Sequence, residues 1–298
     1  MEERFRQAAA LLPPSIRGSL ETLPEEACRR AEEIRLRSGR PSALVLPEGE
    51  REVGERPVRP EELDLVLEIA TRASAHTAAE QVRHGFFTVP GGHRIGLCGT
   101  VVCRDGVVHG LRRLSSLAIR VAREVPGASG AVLDRLGEEG ELQSTLILAP
   151  PGWGKTTLLR DLIRAVSDGD GCPARRVGVA DERGELAGMY GGLPQFDLGR
   201  RTDVLDGCPK GTGLLMLLRG MGPQVLAADE ITEPEDVDAL VGAAGCGVAL
   251  LATAHGRSRA DLERRPVYRA LLAEGIFRRL VLIDLSDGAR RYRVEDLC

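Results

Sequence analysis

The sequence predicts an α/β fold, with a parallel sheet built around a phosphate-binding loop and a smaller α+β module ahead of it. Three observations carry that expectation. The segment Ala149-Pro-Pro-Gly-Trp-Gly-Lys-Thr-Thr157 stands between an apolar run and an amphipathic helical pattern. Downstream, short apolar runs alternate with helical periodicity, which is how strands covered on both faces of a parallel sheet read. Two acidic doublets, Asp181-Glu182 and Asp229-Glu230, each end one of those runs.

The loop is the sharpest signal. Only two lysines, Lys155 and Lys210, occur among the 40 basic residues of the 298-residue chain, and Lys155 lies inside the glycine segment. An ammonium on a thin stem fits beside β- and γ-phosphates, where a planar guanidinium would crowd the loop. Gly152 and Gly154 allow backbone N–H groups to turn inward around phosphate oxygens. The residues expected to hold the nucleotide are Pro151, Gly152, Trp153, Gly154, Lys155, Thr156 and Thr157, with ATP as the ligand and the Thr156 hydroxyl on Mg²⁺. Ala149 stands where the pattern G-x-x-x-x-G-K-[ST] has its first glycine, and it is read as a tolerated variant.

The remaining elements follow in chain order. Glu33 to Arg37 alternates as an amphipathic strand does, and a helix is expected over about 61–74. Short strands are expected at Gly85–Val89, Arg94–Cys98 and Val107–Val108, with Gly91-Gly92 as a hairpin turn. Breaker clusters at 125–130 and 137–141 bracket the domain boundary, giving 1–130 as an N-terminal α+β domain and 131–298 as the P-loop domain. Ser144 to Leu148 reads as a buried strand. Thr156 to Val166 reads as a helix with Leu158, Leu159, Leu162, Ile163 and Val166 on one face. A strand at 176–180, a long glycine-rich loop, a helix at 213–219, and a strand at 225–228 come next. A helix from about Pro234 to Ala244, capped by Thr232 with Glu235 three residues on, precedes a strand at 248–253. Residues 279–284 and 289–294 close the chain as a hairpin.

In an open α/β sheet the carboxyl ends of the strands line the ligand crevice, so both doublets should face the loop. Asp229 is expected to hold Mg²⁺ through water, alongside Thr156. Glu230 is placed to orient and deprotonate the attacking water, with Glu182 as its competitor. His255, after the next buried strand, is placed to report the γ-phosphate. Arginines are candidates for contacting the transferring group: Arg200 and Arg201 in the glycine-rich loop, with Arg201 assigned to the nucleotide, and Arg94, Arg112, Arg113 and Arg120 in the first domain. His76, His84, His93 and His109 lack metal spacing and receive no chemistry.

Composition narrows the field. A net charge of −4 and 3% aromatic residues argue against a dedicated nucleic-acid binder, so no direct nucleic-acid partner is expected. Seven cysteines without a C-x-x-C pair fit free thiols in a reducing compartment. The charged start Met1-Glu-Glu-Arg-Phe-Arg lacks the apolar core of a signal peptide, so export is not expected.

Several segments together resemble the stage III sporulation AA family. They are Arg183-Gly-Glu-Leu-Ala-Gly188, Arg201 to Lys210, Leu218 to Leu226, Asp229-Glu-Ile231 and Ala252-Thr-Ala-His-Gly256. Glu33 to Arg37, His84 to Gly96 and Leu114 to Arg120 in the first domain resemble it as well. The resemblance implies a RecA-like ATPase core, similar to the ring-forming ATPases of type II and type IV secretion and pilus systems. By it, Lys155 and Thr156 fall on the phosphate loop, Asp229 and Glu230 on the second nucleotide motif, Asp181 and Glu182 on an acidic box, and His255 on a histidine box. It also implies a homo-oligomeric ring, with a hexamer favoured, and membrane-protein partners of a sporulation channel. The implied position is cytoplasmic, peripheral at the mother-cell membrane through those partners. Trp153 in the loop and Asp229 depart from the related secretion pattern and bear on turnover more than on binding. The alternative reading is a regulatory or nucleic-acid-directed P-loop NTPase on the same core. Lys210, which closes the Gly207-Cys-Pro-Lys segment, is expected near the nucleotide or a subunit interface.

Overall fold

Strand β1 (Glu33–Arg37) shows the alternation read from its sequence: Ile34 and Leu36 are fully buried, while Glu33, Arg35 and Arg37 keep partial exposure. The computed structural model describes residues 2–71, 85–104, 107–286 and 289–297. The chain divides into two compact units, Met1–Glu124 with Tyr190–Gln195, and Val125–Met189 with Phe196–Cys298.

In the first unit β1 lies between β2 (Ser42–Leu46) and a later strand, and β2 pairs in turn with β3 (Gly49–Val53). Strands β4 (Phe86–Thr88), β5 (Arg94–Arg104) and β6 (Val107–Arg120) complete an antiparallel sheet of order β3-β2-β1-β6-β5-β4. Helices α1 (Glu2–Ala9), α2 (Pro14–Glu21), α3 (Glu25–Arg30) and α4 (Pro60–Thr71) belong to the same unit. Phe5, Leu12, Ile16, Leu20, Leu63 and Val66 share one core with Ile34, Leu36 and Ile119. The expected turn at Gly91-Gly92 joins β4 to β5, both glycines having positive φ. Strands β5 and β6 run far beyond the short strands expected there. Irregularities after Cys98, Thr100 and Val102 break the alternation that would have revealed them. At the first of these a Cβ on Gly99 would fall 1.9 Å from the Arg113 carbonyl oxygen, so the bulge admits only glycine. The expected end of the 61–74 helix and His76 and His84 lie outside the described residues.

The second unit opens with a two-residue ladder, β7 (Gly137–Glu138) with β8 (Glu141–Leu142). Its main sheet is built from β9 (Thr145–Ala149), β10 (Val177–Asp181), β11 (Thr202–Asp206), β12 (Val225–Ala228), β13 (Ala249–His255), β14 (Arg279–Ser286) and β15 (Ala289–Asp296). The order is β11-β10-β12-β13-β9-β14-β15, parallel throughout except for β15 at the edge. Helices α5 (Lys155–Asp168), α6 (Lys210–Gly220), α7 (Pro234–Gly245), α8 (Arg259–Arg264) and α9 (Pro266–Ala273) fill the connections. Two cores result. Leu158, Leu159, Leu162, Ile163 and Val166 of α5 pack with Ile147, Val179 and Ala227, while α6, α7 and α9 pack with Leu146, Leu226 and Leu250. The inner strands β9, β10, β12 and β13 thus send alternate side chains to opposite layers, which is why their sequences are almost continuously apolar.

Two expectations need correction. Strand β11 runs through the stretch read as a glycine-rich loop. It is a half-exposed edge strand, Thr-Asp-Val-Leu-Asp, without a continuous apolar run. Helix α7 is capped by Glu233 and Asp236 in a reciprocal capping box, not by Thr232 and Glu235. Pro234 takes the first helical position, which makes Glu233 the cap. Among the described residues no helix is long and apolar enough to cross a membrane.

Candidate functional site

Strand β9 ends at Ala149, and Pro150 to Gly154 turn the chain into α5. Gly152 and Gly154 have φ of 77° and 97°, conformations that side chains other than glycine rarely adopt. The 14-residue helix α5 starts with no side-chain cap and no acidic residue in its first turn, so its leading N–H groups and positive dipole end remain unmatched. Such an end is built to receive an anion.

Parallel pairing brings the other groups to this end of the sheet. His255 lies in register with Ala149, and Ala228, two residues before Glu230, with Ala252. The Lys155 ammonium lies 2.9 Å from His255 Nδ1 and donates weakly to the Pro150 carbonyl at 3.4 Å. An ammonium can only donate, so Nδ1 accepts and Nε2 carries the ring proton. That Nε2 lies 2.6 Å from Glu230 Oε1, and Arg183 donates to Glu230 Oε2 at 2.9 Å. Burial pushes the Lys155 ammonium below the usual lysine range, and the carboxylates of Asp229, Glu230 and Glu185 act in the opposite sense.

A second chain of bonds runs beside the first. The Thr156 hydroxyl donates to Asp229 Oδ2 at 2.6 Å, and the Thr253 hydroxyl donates to Asp229 Oδ1. Thr253 also accepts the Glu230 N–H at 2.9 Å. Glu230 has φ of 52°, one of two described non-glycine residues with positive φ. A non-glycine residue in that region costs about 1–3 kcal/mol and persists only when its surroundings fix it, as the bonds to Thr253, His255 and Arg183 do.

The first doublet sits differently. Asp181 is almost fully buried and accepts the N–H groups of Glu185, Leu186 and Ala187, so its carboxylate shapes the chain that follows instead of facing the loop. Burial pushes its carboxyl up, and those N–H groups pull it back. Glu182 lines a small cleft with Asp229 and Glu230, yet its carboxylate is held by Lys210 at 2.6 Å. Lys210 is itself buried and also approaches Asp236 at 3.7 Å. Asp236 in turn accepts the N–H groups of Gly211, Thr232 and Glu233. Lys210 therefore ties the start of α6 to the start of α7 and to the acidic doublet.

Arg201 departs from its expected place. It is bound to Ser167, N–H to Oγ at 2.7 Å and guanidinium to carbonyl at 2.9 Å, at the far end of α5 from the loop. Twelve residues of helix lie between Lys155 and Asp168, so Arg201 cannot reach phosphate on the same chain's loop. Arg200 bonds the nearby Asp168 through its backbone N–H.

Sequence reasoning missed three groups in this neighbourhood. Thr253 had a usable signal: it is a hydroxyl in an otherwise apolar strand, two residues before His255 and so on the same face. Arg183 follows the first doublet and opens a family-like segment, but neither mark places it against Glu230. Arg290, whose Nε donates to the Trp153 carbonyl at 2.9 Å, has no sequence signal, because its closeness to the loop arises from strand pairing at the other end of the chain.

The sequence matches the family model for sporulation stage III, protein AA, over residues 2–294. The chain belongs to that family. It is 40% identical over 286 residues to the Stage III sporulation protein AA of Bacillus subtilis (strain 168), an alignment covering 95% of this chain and 92% of that protein. Its structure resembles the ATPase DotB of Yersinia pseudotuberculosis with a TM-score of 0.62 at 12% identity, over 96% of this chain and 80% of that one. It also resembles the pilus retraction motor PilT, solved with bound ADP, with a TM-score of 0.58 at 16% identity, over 91% and 81% of the respective chains. At such identities the likeness is one of fold. This member of the sporulation family carries the RecA-like α/β core expected from its sequence.

Proposed function

We propose that this protein hydrolyses ATP with Mg²⁺ as cofactor, at the cluster formed by the loop, Asp229, Glu230 and His255. The observation that carries the reading is the convergence of both bond chains, Lys155–His255–Glu230 and Thr156–Asp229–Thr253, on one uncapped helix start. The donors fit the ligand. Backbone N–H groups from Gly152 to Thr157 and the Lys155 ammonium present positive charge to the β- and γ-phosphates. One hydroxyl and one carboxylate, Thr156 and Asp229, make the small protein share of a Mg²⁺ site completed by phosphate and water. Bound there, Mg²⁺ neutralises charge on the phosphates.

The chain's own groups do the rest. Lys155 turns from His255 to the phosphates, which removes the donor on Nδ1. The ring thereby registers the γ-phosphate and passes that change through Nε2–H to Glu230. Glu230 orients the attacking water and accepts its proton. Glu182, held by Lys210, serves the cleft as a fixed charge, which favours Glu230 as the base.

The same reading extends to assembly. The family and the resemblance to ring-forming secretion and pilus ATPases support a homo-oligomeric ring, a hexamer, driving a sporulation channel through membrane-protein partners from the cytoplasmic side of the mother-cell membrane. With Arg201 directed away from its own loop, it could serve the transferring group only from a neighbouring subunit.

Trp153, the chain's single tryptophan, provides the test because it lies in the loop. Titration with Mg-ATP should change its fluorescence, phosphate should be released at a rate per subunit that rises steeply with protein concentration, and Lys155→Ala should abolish both. No fluorescence change at millimolar nucleotide would defeat the nucleotide reading. A concentration-independent rate from a monomer would defeat the ring. Stimulation by DNA or RNA with strong salt dependence would instead favour a nucleic-acid-directed NTPase.

A further inference from the structure

Arg290 lies on the edge strand β15, opposite Leu285 of β14. Strand β14 runs parallel beside β9, pairing Leu282 with Leu148 just before the loop begins. This hairpin brings the Arg290 guanidinium to the glycine segment, where its Nε–H donates to the Trp153 carbonyl at 2.9 Å. The contact is close. A Cβ added to Gly154 would fall 2.9 Å from the same Nε. Arg290 is otherwise exposed and has no carboxylate partner among the described residues, unlike Arg183 beside it in chemistry but paired with Glu230.

A loop whose N–H groups face an anion must turn its carbonyls outward, where each takes a donor from the protein or from water. The Trp153 carbonyl and the Gly154 N–H belong to one trans peptide unit and so point in opposite directions. The Gly154 N–H has no acceptor among the described residues. A cation on the carbonyl oxygen fixes the plane of that peptide. It also polarises the unit, which makes the N–H on the other side a stronger donor.

We propose that Arg290 is a positioning residue of the phosphate loop: through the Trp153 carbonyl it holds the Gly154 N–H toward the phosphates of the bound nucleotide. The proposal rests on the nucleotide reading above. It makes the C-terminal hairpin part of the binding site, acting within the same chain. Since the loop grips ground state and transition state alike, loss of Arg290 should weaken binding and leave the chemical step nearly intact.

The experiment compares the full-length protein with Arg290→Ala, Arg290→Gln and Arg290→Lys. Two readouts are taken: acrylamide quenching of Trp153 without nucleotide, and Kd, KM and kcat with Mg-ATP. Arg290→Ala should quench more readily and raise Kd and KM about ten-fold, the scale of one charge-assisted hydrogen bond, with kcat within about two-fold. Arg290→Lys, which keeps donor and charge, should recover most of the affinity. Arg290→Gln, a neutral donor, should recover less, and these two variants carry the test if the alanine variant does not fold. Kd within about two-fold of the parent for Arg290→Ala, a fall in kcat with unchanged KM, or no rescue by Lys would each overturn the proposal. If the parent protein binds no nucleotide, the nucleotide reading fails, and unchanged Trp153 quenching in Arg290→Ala would separately show that no clamp on the loop exists.

Discussion

His255 Nε2 lies 2.6 Å from a carboxylate oxygen of Glu230, whose second oxygen is taken by Arg183 at 2.9 Å. Both oxygens of the proposed base are therefore engaged. Each oxygen keeps a further acceptor site for a proton from water, and His255 is the partner whose other nitrogen touches Lys155. The arrangement couples what Lys155 binds to what Glu230 can do.

Glu230→Gln tests that coupling at the base. The amide keeps the size of the side chain but cannot accept a proton from water at neutral pH. Turnover should fall by about 10²–10⁴-fold, the range expected for loss of a general base, while the Trp153 response to Mg-ATP persists. His255→Ala should cost less, roughly ten-fold in kcat, because it removes the relay and leaves the carboxylate. Phosphate release and fluorescence titration of both variants decide it. Equal loss of binding in Glu230→Gln would remove Glu230 from the chemical step.

Thr253→Val isolates the second bond chain. Valine matches threonine in shape but lacks the hydroxyl that donates to Asp229 and accepts the Glu230 N–H. The strained backbone at Glu230 then loses an anchor. Unfolding free energy should drop by about 1–3 kcal/mol, the cost of a buried donor left without an acceptor. The Mg²⁺ concentration for half-maximal ATPase activity should rise as well, since Asp229 loses one of its two positioning hydroxyls. Chemical unfolding and a Mg²⁺ titration measure the two effects independently.

These residues show what could be read from the sequence and why. The loop, α5 and the doublet Asp229-Glu230 are local, and local patterns survive in sequence: a glycine conformation, a 3.6-residue stripe, an apolar run ended by charge. His255 was legible because parallel strands place their carboxyl ends together. Asp181 and Arg201 were misplaced because their partners are backbone groups, at 185–187 and at Ser167, and backbone acceptors and donors carry no letter in a sequence. Strand β6 was read only at its start, Val107-Val108, because bulges at Gly99 and beyond break its partner's alternation. Arg290 depends on strand order, which no run of residues in its own neighbourhood encodes.

Lys210 was set apart in sequence by its rarity, and the structure buries it in an ion cluster of which Glu182 is the exposed member. Its ammonium lies between Glu182 and Asp236, and Asp236 also closes the capping box of α7. Lys210→Met keeps the stem and deletes the charge, leaving the almost fully buried Asp236 without its cation. Breaking one side of a buried pair costs about 3–5 kcal/mol, so this variant should unfold markedly earlier in urea. Lys210→Arg should be tolerated poorly, because a planar fork replaces a compact ammonium in a packed space. A stability loss under about 1 kcal/mol in Lys210→Met would show that the cluster is not a structural tie.

His93 sets an acid limit on the N-terminal unit. Its ring is fully buried, its Nδ1 accepts the Ala122 N–H at 3.1 Å, and its Nε2 has no partner among the described residues. Burial, with a smaller contribution from Arg4, pushes its pKa from 6.5 down to about 4. A histidine depressed in the folded state leaves the unfolded chain to take up the proton first. Stability is therefore full above pH 6.5 and declines as pH falls toward about 4, by on the order of 3 kcal/mol in total. Urea unfolding of the N-terminal unit, followed by circular dichroism between pH 7 and pH 4, should show a slope of one proton across that window. His93→Leu should lose roughly 1–3 kcal/mol at pH 7, since the Ala122 N–H is left unpaired, and should flatten the slope. A slope unchanged in His93→Leu would sink the assignment to His93, because the loss carried by Glu62, whose carboxyl Arg56 holds well below the usual range, falls at lower pH than this window.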